Sequence, residues 1–549
     1  MTSTSARPQD LLPRTDTDAW WRDAVIYQIY PRSFADANGD GIGDLPGITR
    51  RLDQVASLGV DAIWLSPIFT SPMKDMGYDV SDYCDIDPLF GTLADFDALV
   101  ARAHDLGLKV IIDQVISHSS DKHPWFAESR RSRDNDRADW YVWADPNPDG
   151  TPPNNWPSVF GGPAWEWEPQ RRQYYLHNFL IEQPDLNLWN RDVQDALLDS
   201  MRFWLDRGVD GFRLDTVNYY FHDARLRDNP PNPDHPGPDT YNYQHHVYSK
   251  NRPENIAFLK RMRRLTDEYD ARMMVGEVGD RGEGAIRIMG EYTRGEDRLH
   301  MCYSFEMLSA QFTAQHFRHT IEGVHQGAPD SHACWSFSNH DVFRHVTRWL
   351  PHAESPEAIA RQAAAMLLSF PGTICLYQGE ELGQTETELT YDELTDPPAL
   401  RFWPEVKGRD GCRTPMVWDD SENAGFSTAK PWLPVKNPQA ARAVSGQQGD
   451  NDSVLSAYRA VIAFRKAQLP LRMGQTSFLD LPEPILAFYR GAEGQALTCV
   501  FNLSPQPATL ALSEDAALVG PSRATLSDRV LDLPPNGFAW LDGAVGLSA

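Results

Sequence analysis

Acidic and basic side chains that could carry out catalysis follow several short apolar runs of this sequence. The residues are Asp215, Glu277 and Asp341, together with His118, Arg213 and His340. Two carboxyl groups about 5 Å apart across a sugar can cleave a glycosidic bond with retention, one as nucleophile and one as acid and base. These residue types therefore indicate a hydrolase, provided that the fold brings the ends of the runs together.

Arg213 and Asp215 are two residues apart, so on a strand their side chains point to the same face. The guanidinium is therefore expected to keep Asp215 ionised. A neighbouring acid that is repelled by Asp215 and Asp341 is expected to have a raised pKa and to stay protonated, as a general acid must. A single acid at a strand end is usually a solvated loop residue or a helix cap, so only the coincidence of four such strand ends favours a catalytic site.

The elements that would position these residues alternate along the chain from about residue 20. Runs rich in β-branched and aromatic residues are followed by amphipathic segments with a helical period. The runs are 24–34, 61–67, 109–118, 208–218, 272–279, 301–306, 333–341 and 373–381. Eight such units predict an α/β protein built on a closed (β/α)8 TIM barrel, and they disfavour an open doubly wound sheet. The C-terminal ends of barrel strands form one mouth, so the reactive side chains should meet there.

We expect the barrel to comprise residues 1–118 and 181–465, with two further parts. Residues 119–180 are rich in Trp, Pro, Asn and Asp and predict a small subdomain inserted after the third strand. The long, Pro-rich segment 219–253 is typical of a lid or cleft wall. After about residue 465 short strands with turn signals replace the helical rhythm, so residues 466–549 predict a C-terminal antiparallel β-domain.

The composition disfavours several classes of function. The chain has 549 residues, of which 51 are basic and 77 acidic, and its net charge of −26 disfavours binding to nucleic acid. It has no run of about 18 apolar residues and its first residues are polar, so neither a membrane-spanning helix nor a secretory signal is predicted. Its six cysteines are scattered without a CxxC pair, as expected for free thiols in a cytoplasmic protein.

Four segments of the chain resemble the four signature regions of glycoside hydrolase family 13, the α-amylase family. They are DQVISH (113–118), GFRLDTVN (211–218), VGEVG (275–279) and FSNHD (337–341), and QPDLN (183–187) is similar to the fifth signature. The segments YPRSFADANGDGIGDLPGI (30–48) and GRDGCRTPMVW (408–418) resemble the α-glucosidase and oligo-1,6-glucosidase branch. The resemblance implies the barrel fold and a retaining glycoside hydrolase.

The resemblance also implies a role for each matching residue. Asp215 corresponds to the nucleophile, Glu277 to the general acid and base, and Asp341 to the carboxylate that holds the 2- and 3-hydroxyls. The residues implied to orient the nucleophile or to bind the glucose in subsite −1 are Arg213, His118, His340, Asp75, Tyr78 and Arg409. Thr216 follows the nucleophile, and in this branch Thr at that position implies a preference for α-1,4 bonds, whereas Val implies α-1,6 bonds.

The resulting prediction is a cytoplasmic, retaining, exo-acting α-glucosidase, monomeric or homodimeric, with no organic cofactor. Its substrates would be maltose-type oligosaccharides or small glucosides, and an alcohol could replace water to give transglucosylation. An oligo-1,6-glucosidase and a trehalose or sucrose isomerase share this mechanism and are open alternatives. A non-catalytic relative of the transporter-subunit type is disfavoured, because the three carboxylates are present and no membrane helix is predicted.

A loop after the first strand has the composition of a cation site. Side chains with oxygen atoms occupy every second position and are Asp36, Asn38, Asp40 and Asp44. The twelfth position, which is Glu in an EF-hand, is Gly47 here, and a metal-free turn rich in Asp and Asn is the alternative. The family carries a cation at this loop, so the resemblance implies a structural Ca2+, with Mg2+ as the alternative, bound by these side chains and the Ile42 carbonyl.

Two other positions bear on the site. Ser117 stands where α-amylases have an Asn that binds a structural calcium, so the resemblance does not extend to that second calcium site. The paired Glu380 and Glu381 follow the last strand of the barrel and are predicted to make structural hydrogen bonds beneath the catalytic residues.

Overall fold

The structure is a computed structural model that describes residues 17–235, 240–327 and 330–548. At its centre lie eight parallel strands that form one sheet. The strands are β1 (Val25–Ile29), β2 (Ala62–Leu65), β3 (Lys109–Gln114), β4 (Gly211–Leu214), β5 (Met273–Val278), β6 (Met301–Ser304), β7 (Cys334–Trp335) and β8 (Thr373–Tyr377). Each strand falls inside one of the eight apolar runs, so the predicted positions of the strands are confirmed.

Neighbouring strands of this sheet follow the order β6-β5-β4-β3-β2-β1-β8-β7. A parallel bridge between Cys302 of β6 and Ala333, the residue before β7, joins the two ends of the sheet. The sheet is therefore a closed barrel and not an open doubly wound sheet. The predicted (β/α)8 architecture is confirmed.

One long helix follows each barrel strand in the chain. The helices are α1 (Leu45–Ala56), α2 (Leu93–Asp105), α3 (Arg191–Asp206), α4 (Asn255–Thr266), α5 (Gly282–Thr293), α6 (Ala314–Gly327), α7 (Pro356–Leu367) and α8 (Val454–Ala467). In α1, Ile48, Leu52 and Val55 recur at the helical period and are buried. The Asp44 carboxylate accepts a hydrogen bond from the Gly47 N–H and so determines where α1 begins.

The barrel strands bury side chains on both of their faces. Ile26, Trp64 and Ile111, from β1, β2 and β3, pack in a cluster inside the barrel. The neighbouring residues Tyr27 and Ile63 belong to the larger core that the strands share with the helices. The two-residue period of a strand therefore separates the barrel interior from the layer beneath the helices.

The segment between β3 and α3 contains a small sheet of its own. Its elements are a short helix (Pro124–Ser129) and three antiparallel strands (Trp143–Ala144, Gln173–Leu176 and Trp165–Glu168). Their apolar core consists of Val142, Trp156, Ala164, Trp165 and Leu176. A backbone bridge between His118 and Asp185 joins the two ends of the segment. These elements lie within residues 119–180, the range in which the sequence predicts a subdomain.

The described residues of the second long segment, 219–235 and 240–253, contact this insertion. Asn155 and Asn229 exchange two hydrogen bonds of 2.9 Å each. The Trp156 indole N–H donates to the Arg227 carbonyl at 2.9 Å. The two segments are therefore joined to each other, and both contribute to the cavity described below.

Two antiparallel sheets follow the barrel in the chain. One consists of Gln475–Phe478, Ile485–Ala492, Gln495–Asn502, Phe538–Asp542 and Leu518–Arg523, and the other of Thr525–Ser527, Val530–Leu533, Ala508–Leu512 and Leu547–Ser548. The Trp540 indole donates to Ser369 Oγ at 2.8 Å, and Gln362 of α7 donates to the Asn502 carbonyl at 2.6 Å. These bonds hold the β-domain on α7 and the residues just after it. The predicted C-terminal antiparallel β-domain is confirmed.

Several short helices complete the described structure. They are His345–Arg348, Pro397–Phe402, Asn437–Ala440, Val444–Gln447 and Leu469–Met473. Within the three described ranges, no helix combines the length and the apolar character that crossing a membrane requires. All six cysteines are free thiols, as the sequence predicts.

Candidate active site

A cavity of about 600 Å3 lies at the C-terminal ends of the barrel strands. Most of the predicted catalytic and substrate-binding residues line it, namely Asp75, Tyr78, His118, Asp215, Thr216, Glu277, Asp341 and Arg409. The two others, Arg213 and His340, are fully buried and contact residues of this lining. The fold therefore brings all of these residues to one place from distant parts of the chain.

Arg213 on β4 is the electrostatic centre of this site. Its Nη1 donates to Asp215 Oδ1 and to Asp113 Oδ1, both at 2.7 Å. Its Nη2 lies 2.6 Å from Glu277 Oε1. The register of the strands explains this convergence, because Arg213 is paired with Asp113 of β3 on one side and with Val275 of β5 on the other. One guanidinium therefore holds the carboxyl groups of Asp215 and Glu277 near each other.

The chain turns sharply where β4 ends. Thr216 has φ 41° and ψ 46°, a left-handed conformation that is strained for a β-branched residue. In this turn the Thr216 N–H donates to Glu277 Oε2 at 3.0 Å, and its hydroxyl donates to Asp215 Oδ2 at 3.2 Å. Thr216 therefore contacts both carboxyl groups and restricts their relative position.

Burial raises the pKa of both carboxyl groups. The pKa of Asp215 rises to about 7, because burial outweighs the opposing effect of Arg213. The pKa of Glu277 also rises to about 7, through burial first and then repulsion from Asp215 and Asp341, with Arg213 opposing. The sequence predicts that Arg213 keeps Asp215 ionised, but burial outweighs the guanidinium and raises the pKa of Asp215 instead. The pKa of Glu277 is raised as predicted, with burial and not repulsion as the first cause. Because both pKa values are raised and the two groups interact, one acid can be ionised while the other stays protonated and donates.

Asp341 differs from these two acids in its partners. Its Oδ1 accepts hydrogen bonds from Arg409 Nη1 at 3.3 Å and Arg413 Nη2 at 3.0 Å. Burial raises the pKa of Asp341, but its basic neighbours outweigh burial and hold that pKa below its usual range. Burial lowers the pKa of His340 to about 3, so the imidazole is neutral and the two guanidinium groups supply the positive charge. Asp341 is therefore ionised and can accept hydrogen bonds from sugar hydroxyls.

Paired charges join two walls of the cavity. Arg409 Nη2 lies 2.8 Å from Asp75 Oδ1 and 2.6 Å from Asp396 Oδ1. Gln183 donates to Asp75 Oδ2 at 3.1 Å and contacts His118 Nε2 at 3.0 Å. Such alternating donors and acceptors suit the neighbouring hydroxyl groups of a sugar ring.

The Tyr78 ring stacks on the ring of His340, with centroids 5.4 Å apart and planes 3° apart. The Tyr78 hydroxyl donates to Asp113 Oδ2 at 3.1 Å and contacts His340 Nε2. Gln28 contacts the other ring nitrogen, Nδ1, of His340 at 2.8 Å. Both nitrogens of the imidazole are therefore occupied, and the ring is held rigidly beneath the lining of the cavity.

The rest of the lining comes from the loops. The aromatic residues are Phe160 and Phe179 from the insertion, Tyr219 and Tyr241 from residues 219–253, and Phe305 after β6; the charged residues are Lys250, Asp280 and Arg281. Tyr219, Tyr241 and Lys250 thus place described parts of the segment 219–253 on the cleft wall, as the sequence predicts, and residues 236–239 of that segment lie outside the described residues. The sequence predicts the segments but not these individual side chains, because only the folded chain shows which loop residues face the cavity.

Three buried residues of the site were also missed from the sequence. Asp113 pairs with Arg213, Gln183 bridges Asp75 and His118, and Arg413 donates to Asp341. They lie in the segments DQVISH, QPDLN and GRDGCRTPMVW, so a signal was present. Their partners come from other strands and loops, and for this reason the motifs alone do not show what these residues do.

The acidic loop between β1 and α1 is held by its own backbone. The Asp36 carboxylate accepts hydrogen bonds from two backbone N–H groups of the loop, and the Asp44 carboxylate accepts three. In the described part of the chain, no Lys or Arg side chain forms an ion pair with Asp36, Asp40 or Asp44. No group of three or more His, Cys, Asp or Glu side chains in that part is arranged to hold a metal ion, so any cation here also needs amide and carbonyl oxygens.

The chain matches the family model of the alpha-amylase catalytic domain over residues 28–474. It is 58% identical over 498 residues to a probable alpha-glucosidase of Rhizobium meliloti (strain 1021), and the match covers 89% of this chain and 90% of that protein. It is 38% identical over 525 residues to an oligo-1,6-glucosidase of Heyndrickxia coagulans, with 88% and 92% covered. The crystal structure of an alpha-glucosyl transfer enzyme, XgtA, is similar with a TM-score of 0.93 and 53% identity, over 96% of this chain and 99% of that chain.

Proposed function

This chain belongs to the α-amylase family of glycoside hydrolases, and from that premise we propose that it is a retaining, exo-acting α-glucosidase of short α-1,4-linked substrates. The observation that carries the proposal is that Asp215 and Glu277 line the same cavity and both contact the guanidinium of Arg213. A double displacement requires two neighbouring acids, of which one is ionised and the other protonated.

In the first step, ionised Asp215 attacks the anomeric carbon, and Glu277 donates its proton to the oxygen of the leaving group. The C1–O bond of the substrate breaks, and a covalent glucosyl ester of Asp215 forms. In the second step, the Glu277 carboxylate removes a proton from water, which attacks C1 and releases Asp215. Two inversions at C1 give net retention.

Asp341 supports this reaction through charge. It is ionised and held by Arg409 and Arg413, so it can accept hydrogen bonds from two sugar hydroxyls while positive charge develops on the ring. The ion pair of Asp75 with Arg409 stands at the same cavity and would close it behind the non-reducing glucose. This arrangement supports exo-acting cleavage of short chains.

The linkage preference and the fate of the glucosyl group are part of this proposal. Thr216 supports a preference for α-1,4 bonds, although one relative at 38% identity is named an oligo-1,6-glucosidase. A second relative is named an alpha-glucosyl transfer enzyme, which supports transglucosylation by an alcohol that replaces water.

The six free thiols support a reducing, cytoplasmic location. Light scattering would decide between a monomer and a homodimer.

One substrate panel tests the proposal. Purified protein is incubated with maltose, isomaltose, trehalose, sucrose and starch, and the products are followed by NMR that resolves the two anomers. We expect α-glucose to appear first, from maltose faster than from isomaltose, and little release from starch. First release of β-glucose would contradict the retaining mechanism. Faster cleavage of isomaltose would favour an oligo-1,6-glucosidase, and formation of trehalose or isomaltulose would favour an isomerase.

We also propose that the loop of Asp36, Asn38, Asp40 and Asp44 binds a structural Ca2+, with the Ile42 carbonyl as a further ligand and Mg2+ as the alternative ion. Carboxylate oxygens that accept one N–H bond keep a lone pair for a hard cation. Burial, with a smaller contribution from repulsion by Asp36, raises the pKa of Asp44 in spite of three N–H donors. The cation would stabilise the loop and takes no part in the reaction.

Thermal unfolding tests this metal site without reference to activity. Ca2+ added to chelator-treated protein is expected to raise the melting temperature by about 3–8 °C, and Asp40→Asn is expected to reduce that increase. An unchanged melting temperature with both Ca2+ and Mg2+ would contradict the proposal.

A further inference from the structure

One side of the cavity lies beside Glu277, the general acid, and not beside the ion pair of Asp75 and Arg409. Asp280 and Arg281 follow β5, the strand that carries Glu277, and both line the cavity. Tyr219, Lys250 and Phe305 line the cavity as well. Because a general acid donates its proton to the leaving group, residues next to Glu277 are placed to contact that group or an acceptor alcohol. We call these five residues the acceptor side.

Two charges of the acceptor side neutralise each other. Lys250 is buried, and its Nζ lies 3.3 Å from Asp280 Oδ1 and donates to the Tyr219 hydroxyl at 3.1 Å. Asn251 donates to the second carboxylate oxygen of Asp280 at 2.9 Å. Lys250 and Asp280 are thus an internal ion pair that adds no net charge to the acceptor side.

Arg281 is the third charged residue of the acceptor side and takes no part in the ion pair of Lys250 and Asp280. Its side chain is exposed at the cavity and forms no ion pair with any residue in the described part of the chain. The acid that lies nearby, Glu306, already accepts the Gly282 N–H at 2.6 Å and lies 3.7 Å from His316 Nδ1. Arg281 therefore leaves one uncompensated positive charge beside the leaving-group position.

A second guanidinium, that of Arg348, lies near enough to Arg281 to repel it. Burial, opposed by Glu380 and Glu386 and assisted by repulsion from Arg281, lowers the pKa of Arg348 to about 10. The side chain of Arg348 donates hydrogen bonds to the carbonyls of Ser309 and Phe337 and is not a partner of Arg281.

We propose that Arg281 makes the acceptor side selective for leaving groups and acceptor alcohols that carry a carboxylate. A guanidinium can pair with a carboxylate through two parallel hydrogen bonds, and Phe305 and Tyr219 offer surfaces for the carbon skeleton. No new chemical step is involved: the C1–O bond breaks and Glu277 protonates the departing oxygen as described above. The proposal rests on the proposed function, because such a group occupies this side only during glucosyl transfer.

The test uses two glucosides that differ by one charge, 4-carboxyphenyl and 4-carbamoylphenyl α-D-glucopyranoside. kcat/KM for both is measured at neutral pH and low ionic strength, and the selectivity is their ratio. We expect Arg281→Gln to lower the carboxylate-to-carboxamide ratio about five- to tenfold, and added salt to lower the wild-type ratio. Arg281→Lys should retain part of the selectivity, because the charge remains without the planar fork.

Arg287→Gln is the matched control. Arg287 is exposed on the same helix, α5, and pairs with Glu291 at 2.7 Å, so the variant loses the same charge away from the cavity. Its ratio should stay within about twofold of the wild-type ratio, because exposed charges at a distance are screened. An Arg281→Gln ratio equal to the wild-type ratio, with the carboxamide still hydrolysed, would overturn this inference alone. Hydrolysis of neither glucoside by the wild-type protein would overturn the proposed function and this inference together.

Discussion

Two pairs of buried acids lie at C-terminal strand ends of the barrel, and only one pair faces the cavity. Asp215 and Glu277 line the cavity, whereas Glu380 and Glu381 are enclosed after β8. Burial raises the pKa of all four groups, to about 8 for Glu380 and to about 7 for the other three. A raised pKa therefore reports burial in both pairs and does not by itself identify a catalytic acid.

The hydrogen bonds of the two pairs show the difference. Glu381 accepts bonds from the Tyr27 hydroxyl at 2.7 Å and the Gly379 N–H at 2.9 Å, and Glu380 accepts one from the Tyr377 N–H at 3.0 Å. These are the structural hydrogen bonds that the sequence predicts. Asp215 and Glu277 instead share one guanidinium and line the open cavity, so a substrate can approach both carboxyl groups.

Asp215→Asn gives the largest expected effect and separates the two pairs most clearly. The amide cannot form the covalent ester, so kcat for an aryl α-glucoside is expected to fall at least about 10³-fold. Glu381→Gln, at an acid with a similar pKa that lies outside the cavity, should stay within about tenfold of wild type. Steady-state kinetics of both variants make the comparison. Near-normal turnover by Asp215→Asn would remove the nucleophile assignment.

Glu277→Gln should impair substrates unequally. A poor leaving group such as the glucose of maltose needs a proton, whereas an activated nitrophenolate does not, so the loss of kcat/KM should be about 10²-fold larger for maltose. Both substrates are assayed with the same enzyme preparation. Equal losses would contradict the role of Glu277 as the acid.

Glu380→Gln should change stability and not catalysis. Glu380 stays neutral up to about pH 8 in the folded protein but ionises near pH 4.5 in the unfolded chain, so wild-type stability falls as the pH rises between these values. The neutral variant escapes this loss, and above pH 8 its free energy of unfolding should exceed that of wild type by about 1–3 kcal/mol. Urea unfolding at several pH values measures this difference. A difference that does not vanish below pH 4.5 would show that another contact is responsible.

Thr216→Val is the mildest test of the catalytic pair. Valine keeps the volume but removes the hydroxyl that donates to Asp215 at 3.2 Å. The ratio of isomaltose to maltose hydrolysis is expected to rise severalfold, by about three- to tenfold, since one contact of this kind contributes about 1 kcal/mol. Competition between the two disaccharides measures the ratio. An unchanged ratio would show that Thr216 does not influence linkage preference.

The sequence by itself determined the eight barrel strands and the residues at their ends. Val25–Ile29 and Lys109–Gln114 are recognisable because strand and helix periods are local properties of the chain. Once the barrel is accepted, Asp215, Glu277 and Asp341 must approach one another, because parallel strands end at one mouth.

Only the tertiary structure decided how these residues act on each other. The guanidinium of Arg213 contacts both Asp215 and Glu277, and the charge of Arg281 is free at the cavity. Both features depend on distances between remote parts of the chain. The pKa of Asp215 shows the reason most directly. Arg213 can be recognised in the sequence two residues before Asp215. The cost of burying the Asp215 charge, however, exists only when the folded protein excludes water from around that carboxylate.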